Sequence, residues 1–154
     1  MNDISKTSII ICCAGMGTRL GIGTTKALVD ICGKPLIIRL LEQLDEYKDI
    51  RIVVGFDAER VIQTVRKYRD DIMFVFNYDY ETTGAAHSLK KALLGANDII
   101  IAIDGDTLFD KADFKKFLNY NGECIVVSRN ATTEPIIATI DGNNVVKLSK
   151  GNGE

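Results

Sequence analysis

Residues Ala14 to Lys26 read Ala-Gly-Met-Gly-Thr-Arg-Leu-Gly-Ile-Gly-Thr-Thr-Lys, a glycine-rich loop that follows an apolar run and carries one arginine and one lysine. Such a loop can cradle phosphate. Glycines let backbone N–H groups approach an anion and adopt φ values that a Cβ forbids, while Arg19 and Lys26 supply charge that amides lack. A second segment, Asp104-Gly105-Asp106, ends the apolar run Ile99 to Ile103. If strand geometry persists there, Asp104 and Asp106 point to the same side, and two convergent carboxylates repel unless a cation lies between them. A hard, oxygen-liganded ion such as Mg²⁺ suits that position, keeping several waters and bridging to substrate phosphates. The plainer alternative is a solvated acidic turn capping the strand.

Spacing separates the glycine loop from two common phosphate motifs. A dinucleotide fingerprint requires G-x-G-x-x-G at the start of a helix. Gly15 and Gly17 fit it, but Leu20 stands where the third glycine belongs. A Walker A loop requires lysine directly after its last glycine, and here Thr24 follows Gly23. Two cations also suit a triphosphate better than the half-neutralised pyrophosphate of a dinucleotide.

Three blocks in order, Ala14 to Leu20, Lys26-Ala27-Leu28-Val29 and Gly33-Lys34-Pro35-Leu36-Ile37, resemble the N-terminal signature of the nucleotidyltransferases that make sugar nucleotides and CDP-alcohols. The likeness covers nearly the whole chain. It departs at Thr25, where many members carry a loop-stiffening proline. The resemblance implies an in-line attack by an acceptor phosphate oxygen on the α-phosphorus of an NTP, with pyrophosphate leaving. The nucleophile then comes from the substrate, so the protein contributes positioning and charge stabilisation. Ala14, Gly15, Met16, Gly17 and Thr18 would bind the nucleotide, with Arg19 on the β- and γ-phosphates and Lys26 on the α-phosphate and the incoming phosphate. Gly105-Asp106 occupies the place of the family's Gly-Asp metal motif, which makes Asp106 the first ligand expected for Mg²⁺ and Asp104 the second.

The segment Asn77 to Leu89 carries base and ribose contacts in the resembling family. Gly84 and Ala85 would let a base edge lie against backbone, and a helix start there would offer free N–H groups. The alternative is an ordinary strand-to-helix turn with Thr83 near the N-cap. Asn77, Tyr80, Thr83 and Ser88-Leu89 look like the cytidylyltransferase branch, whereas Thr83-Gly84 and Ala86-His87 also look like uridylyltransferases acting on amino sugars. The expected nucleotide is therefore CTP or UTP, and the expected acceptor a sugar 1-phosphate or an alcohol phosphate. His87 is the single histidine and reads as structural.

These segments need a scaffold, and the apolar patterning supplies one. Thr7 to Cys13, Arg51 to Gly55, Ile72 to Asn77 and Ile99 to Ile103 read as strands. Between and after them, helices are expected from Pro35 to about Tyr47, Ala58 to Tyr68, Ala85 to Leu94 and Lys111 to Asn119. The continuous β-branched run Ile99 to Ile103 suits a parallel strand covered on both faces. Alternation of this kind predicts a Rossmann-like three-layer α/β/α fold with a mostly parallel sheet and ligands at the carboxyl ends of its strands. Cys124 to Ser128 reads as a further strand, and Pro135 to Leu148 as a C-terminal β-hairpin turning at Asp141-Gly142-Asn143-Asn144.

With 154 residues, the chain reads as one NTP-binding domain over residues 1–154. Because members of the family usually continue past the hairpin, the expectation is an incomplete catalytic domain, a fragment or a short member completed by a partner chain or homo-oligomer. A net charge of −2 and a pI near 5.5 exclude a broad basic surface for nucleic acid or anionic membrane. The apolar runs are too short to span a bilayer, and Met1 to Lys6 has no secretory pattern, so a cytoplasmic location is expected. The four cysteines form no C-x-x-C pair, which argues against zinc and, in a reducing compartment, against disulfides. Two other classes remain in view. One is a nucleotide-binding module or subunit without catalysis. The other is an NAD-dependent oxidoreductase, disfavoured by Leu20 and by the lack of a well-placed acidic residue after the second strand.

Overall fold

Strand β1, Thr7–Cys12, carries no charge, and Ile9, Ile10 and Ile11 along it are all fully buried. Alternate residues of a strand face opposite sides, so such burial requires cover on both faces. The computed structural model describes residues 3–17, 21, 23–127 and 136–150. They divide into two units, Met1–Asn119 and Tyr120–Glu154.

In the first unit β1 sits inside a four-stranded parallel sheet with β4 (Asp49–Val54), β5 (Met73–Phe76) and β6 (Ile99–Asp104), in the order β5-β4-β1-β6. The chain steps outward from β1 to β4 and β5, then returns to lay β6 on the other flank of β1. That reversal opens a crevice beyond the carboxyl ends of the strands, where open α/β sheets bind ligands. Its register pairs Cys12 with Asp104, which brings the exits of β1 and β6 together.

Helices supply the two outer layers. Ile37, Leu40 and Leu41 of α1 (Leu36–Leu41), Val61 and Val65 of α2 (Ala58–Arg66), and Phe114 and Leu118 of α4 (Lys111–Leu118) pack with Ile9, Ile11, Ile52 and Ile103. On the other face, Ala92 of α3 (Ala85–Ala92) joins Ile10 and Val53, with Leu89 packed against them. Each fully buried aliphatic side chain contributes about 1.5–3 kcal/mol. This is the expected three-layer α/β arrangement.

Three local features depart from the sequence reading. Helix α1 ends at Leu41 rather than near Tyr47, because Gln43, Leu44 and Tyr47 donate to carbonyls only three residues back. The tighter turns still bury Leu44 and Tyr47, so the apolar spacing survives without the helix. A small antiparallel pair, β2 (Asp30–Ile31) and β3 (Lys34–Pro35), was not anticipated. Cys32 and Gly33 between them take φ values of 50° and 77°, the left-handed pair that closes a two-residue hairpin. Residues 124–127 of the expected strand form none, and Ile125, Val126 and Val127 are half exposed. An apolar run becomes a strand only where another strand pairs with it, and these residues pair with none described. Ser128 lies outside the described residues.

The second unit holds the expected hairpin, β7 (Ile136–Asp141) and β8 (Asn144–Lys150), with a register shift between Thr139 and Ile140. Pro135 lies outside the described residues.

Candidate functional site

The cleft begins where β1 stops. Cys13 N–H donates to Val53 O at 2.8 Å and Phe56 N–H to Ala14 O at 3.0 Å, so the chain stays seated against β4 until Ala14. The glycine loop leaves from there and returns through Thr24 and Thr25. Thr24 Oγ1 donates to Asp57 Oδ2 at 2.6 Å. Thr25 is 2 % exposed, and its hydroxyl donates to Cys13 O at 3.3 Å. Its backbone lies at φ −66°, ψ 145°, the conformation a proline would impose. The threonine thus holds the backbone as a proline would and adds a tether to Cys13.

Lys26 opens a short 3₁₀ turn, Lys26–Leu28. Its stem crosses Gly17, which holds φ +60°, and a Cβ at residue 17 would lie 3.0 Å from Lys26 Cγ. Both facts call for glycine at 17. The Lys26 ammonium ends 2.7 Å from Asp106 Oδ2, with the two side chains 32 % and 37 % exposed.

Asp106 is placed by the exit of β6. Gly105 N–H donates to Cys12 O at 3.0 Å, continuing the β1–β6 pairing one residue past the strand. Asp104 is exposed and lines the cleft beside Lys26 and Asp106. Loss of water and then the Asp106 charge hold its carboxyl above the ordinary value, against the opposing pull of Lys26. Burial, and then the charge of Asp104, push the Cys12 thiol up to about 11. Burial and the neighbouring acids also raise Cys13.

The opposite wall comes from the β5–α3 connection. Asn77, 1 % exposed, donates from Nδ2 to Thr83 Oγ1 at 3.0 Å and to Ser88 Oγ at 3.1 Å, and accepts at Oδ1 from Asp79 N–H at 3.2 Å. One buried amide thereby ties the loop to the first turns of α3. Gly84, not Thr83, is the N-cap of α3, and no side chain caps that end. Thr83 Oγ1 donates instead to Asp79 O at 2.7 Å.

A cleft of about 370 Å³ gathers these walls. Of the residues expected in the site, Ala14, Gly15, Gly17, Lys26, Thr83, Gly84, Ala85, Asp104 and Asp106 line it. Met16 does not line it and is 36 % exposed. Thr18 and Arg19 lie outside the described residues. Cys12, Cys13 and Thr25 also line the cleft and were not anticipated, because an apolar cysteine pair and a loop threonine carry no chemical signal in one dimension. His87 does not line it; its Nε2 lies 3.8 Å from Asp79 Oδ2.

Among the described residues this arrangement offers one cation, Lys26, uncapped amides and two carboxylates. Among the described residues no three His, Cys, Asp or Glu side chains converge as a metal cage. The pair Asp104 and Asp106 fits a hard ion that takes one or two carboxylates and completes its shell with water and phosphate. The Lys26 ammonium already stands on Asp106 as a cation would.

Residues 9–146 match the MobA-like NTP transferase domain. The bifunctional protein GlmU of Campylobacter curvus is 30 % identical over 125 residues, 80 % of this chain and 28 % of that protein. GlmU of Methanocaldococcus jannaschii is 27 % identical over 146 residues, 92 % of this chain and 35 % of that one. The chain thus spans roughly a third of the length of these curated relatives. Among solved structures, the CTP:phosphocholine cytidylyltransferase of Streptococcus pneumoniae superposes with a TM-score of 0.58 at 35 % identity, covering 66 % of this chain and 45 % of that one. The 4-diphosphocytidyl-2C-methyl-D-erythritol synthase of Anaerococcus prevotii, at 19 % identity and a TM-score of 0.60 over 96 % of this chain and 62 % of that one, shares the fold.

Proposed function

The chain belongs to the MobA-like NTP transferase family, and from that premise we propose that it transfers a nucleoside monophosphate from CTP or UTP to a phosphorylated small molecule. A sugar 1-phosphate or an alcohol phosphate is the acceptor, and pyrophosphate is released. The observation that carries this reading is the meeting of Lys26 and Asp106 at 2.7 Å, inside the cleft where the glycine loop faces the exit of β6. The likeness to a cytidylyltransferase at 35 % identity supports CTP first.

Residue roles follow from charge and place. Backbone amides of Gly15 to Thr18, together with Arg19, bind the β- and γ-phosphates. Lys26 binds the α-phosphate and the incoming acceptor phosphate, two anions that repel each other without a cation between them. The Asn77, Thr83, Gly84 and Ala85 wall holds the base and ribose, and Asn77 keeps that wall rigid. The acceptor oxygen bonds to the α-phosphorus as the bond to the bridging oxygen of pyrophosphate breaks, so no side chain needs to act as nucleophile. Asp106, with Asp104 beside it, would hold Mg²⁺, which supplies positive charge to the phosphates when bound.

A thermal-shift screen of the four NTPs with Mg²⁺, followed by pyrophosphate release with candidate acceptor phosphates, tests the proposal. Protection by CTP or UTP, and none by NAD, is the expected pattern, with pyrophosphate appearing only when the right acceptor is added. Protection by NAD alone would discard it. Protection without pyrophosphate for any acceptor would identify a nucleotide-binding module instead.

A further inference from the structure

We propose that the Lys26 ammonium is the resident counter-ion of Asp106 and competes with a divalent cation for it, so that the cation seats tightly only after a nucleotide phosphate draws Lys26 away. The proposal rests on the reading of the cleft as an NTP site and adds an order of events to it.

The geometry supplies the competition. Lys26 Nζ lies 2.7 Å from Asp106 Oδ2, and a divalent ion on that carboxylate would sit about 2.0–2.1 Å from its oxygen. Two cations crowded onto one oxygen repel, so occupancy by one weakens the other. The Asp104 carboxylate makes no hydrogen bond or ion pair with another described residue, so it stays available to whichever cation is present. The freedom to exchange is also built in. Glycine at 17 leaves the room beside Lys26 Cγ that a Cβ would take, so the stem and its outer torsions can swing the ammonium. About a third of each paired side chain is exposed, so water can replace one partner as the other leaves. An incoming triphosphate offers Lys26 a stronger anion than a single carboxylate. By linkage, if nucleotide raises affinity for the cation, the cation raises affinity for nucleotide by the same factor.

The test uses the full chain without nucleotide and follows free Mn²⁺ by electron paramagnetic resonance. Wild type should bind Mn²⁺ weakly, Lys26→Gln about tenfold more tightly, and Lys26→Arg, which keeps a cation there, as weakly as wild type. The gain must vanish in the Lys26→Gln, Asp106→Asn double variant, with thermal melts confirming that each variant is folded. Equal affinity in wild type and Lys26→Gln overturns the competition, as does a gain that survives Asp106→Asn or a failure of every form to bind Mn²⁺. CTP and UTP protection of wild type is scored separately. Protection without the variant's gain removes the competition and leaves the transferase reading standing. A gain with no protection by any NTP removes the transferase reading and with it the nucleotide's part in the exchange.

Discussion

A Cβ built on Gly105 would lie 2.2 Å from Cys13 Sγ and 3.2 Å from Cys12 O. The exits of β6 and β1 therefore touch at a position where no side chain fits. That contact sets Asp106 opposite Lys26. Gly105→Ala should destabilise the protein by about 1–3 kcal/mol, the usual cost of forced overpacking, and weaken nucleotide binding. Adding Cys13→Ala should restore part of both. Urea unfolding and nucleotide titration would check this, and a silent Gly105→Ala would contradict the contact.

Lys26→Ala should lower turnover about 100- to 1,000-fold, the effect of removing one preorganised charge from a transferring phosphate. Stability should change by no more than about 1 kcal/mol, because the ion pair is a third exposed and screened by water. Pyrophosphate release and a melting curve on the same sample separate the two effects.

Arg51 is 4 % exposed, and its guanidinium grips Asp49 while donating to Ala92 O at 3.0 Å and Leu94 O at 2.7 Å. It thus holds the carboxyl end of α3, whose amino end lines the cleft. Removing one partner of a buried pair costs about 3–5 kcal/mol; with Asp49 24 % exposed, the expected loss for Arg51→Met lies at the lower end of that range. Burial raises the Asp49 carboxyl, but hydrogen bonds from Arg51 and Ser8 and the Arg51 charge outweigh it and hold the group below its usual 3.8. A depressed carboxyl stabilises the fold above the unfolded value and loses that contribution as pH falls below it. Stability should therefore drop below about pH 4, with a shallower drop in Asp49→Asn, as acid unfolding monitored by circular dichroism would show.

Asn77→Ala removes a buried amide that bridges Thr83 and Ser88. It should cost about 1–3 kcal/mol and raise the KM for nucleotide more than it lowers kcat, the outcome expected if the wall it braces has the proposed binding role. A change confined to kcat would remove Asn77 from that role.

Thiol reactivity should divide the four cysteines. Cys32 and Cys124 are exposed, whereas Cys12 is pushed up to about 11 and Cys13 is buried and raised as well. The thiolate is the reactive form, so a disulfide reagent at pH 8 should label two thiols rapidly and the other two only on unfolding. Four rapid equivalents would contradict the packing at the end of β1.

Much of this was legible in one dimension. Uninterrupted apolar runs marked β1 and β6, and glycine and aspartate at their ends marked the cleft, because strand period and turn chemistry are local properties. Helix α1 was misjudged at its end because Leu44 and Tyr47 are buried equally well by a helix or by tight turns. The β2–β3 pair escaped notice because two-residue strands leave no periodicity. Arg51 was read only as the first residue of a strand, and its partners at the carboxyl end of α3 leave no mark in the sequence.

The sequence by itself determined the order of strands and helices, the glycine-rich, cationic composition of the loop and the presence of two carboxylates, since each depends on residues close together in the chain. Only the tertiary structure decided that Lys26 and Asp106, 80 residues apart, share one ion pair. Parallel pairing of β1 with β6 and the missing side chain at Gly105 bring them together, and a contact between distant segments exists only once the sheet that joins them has formed.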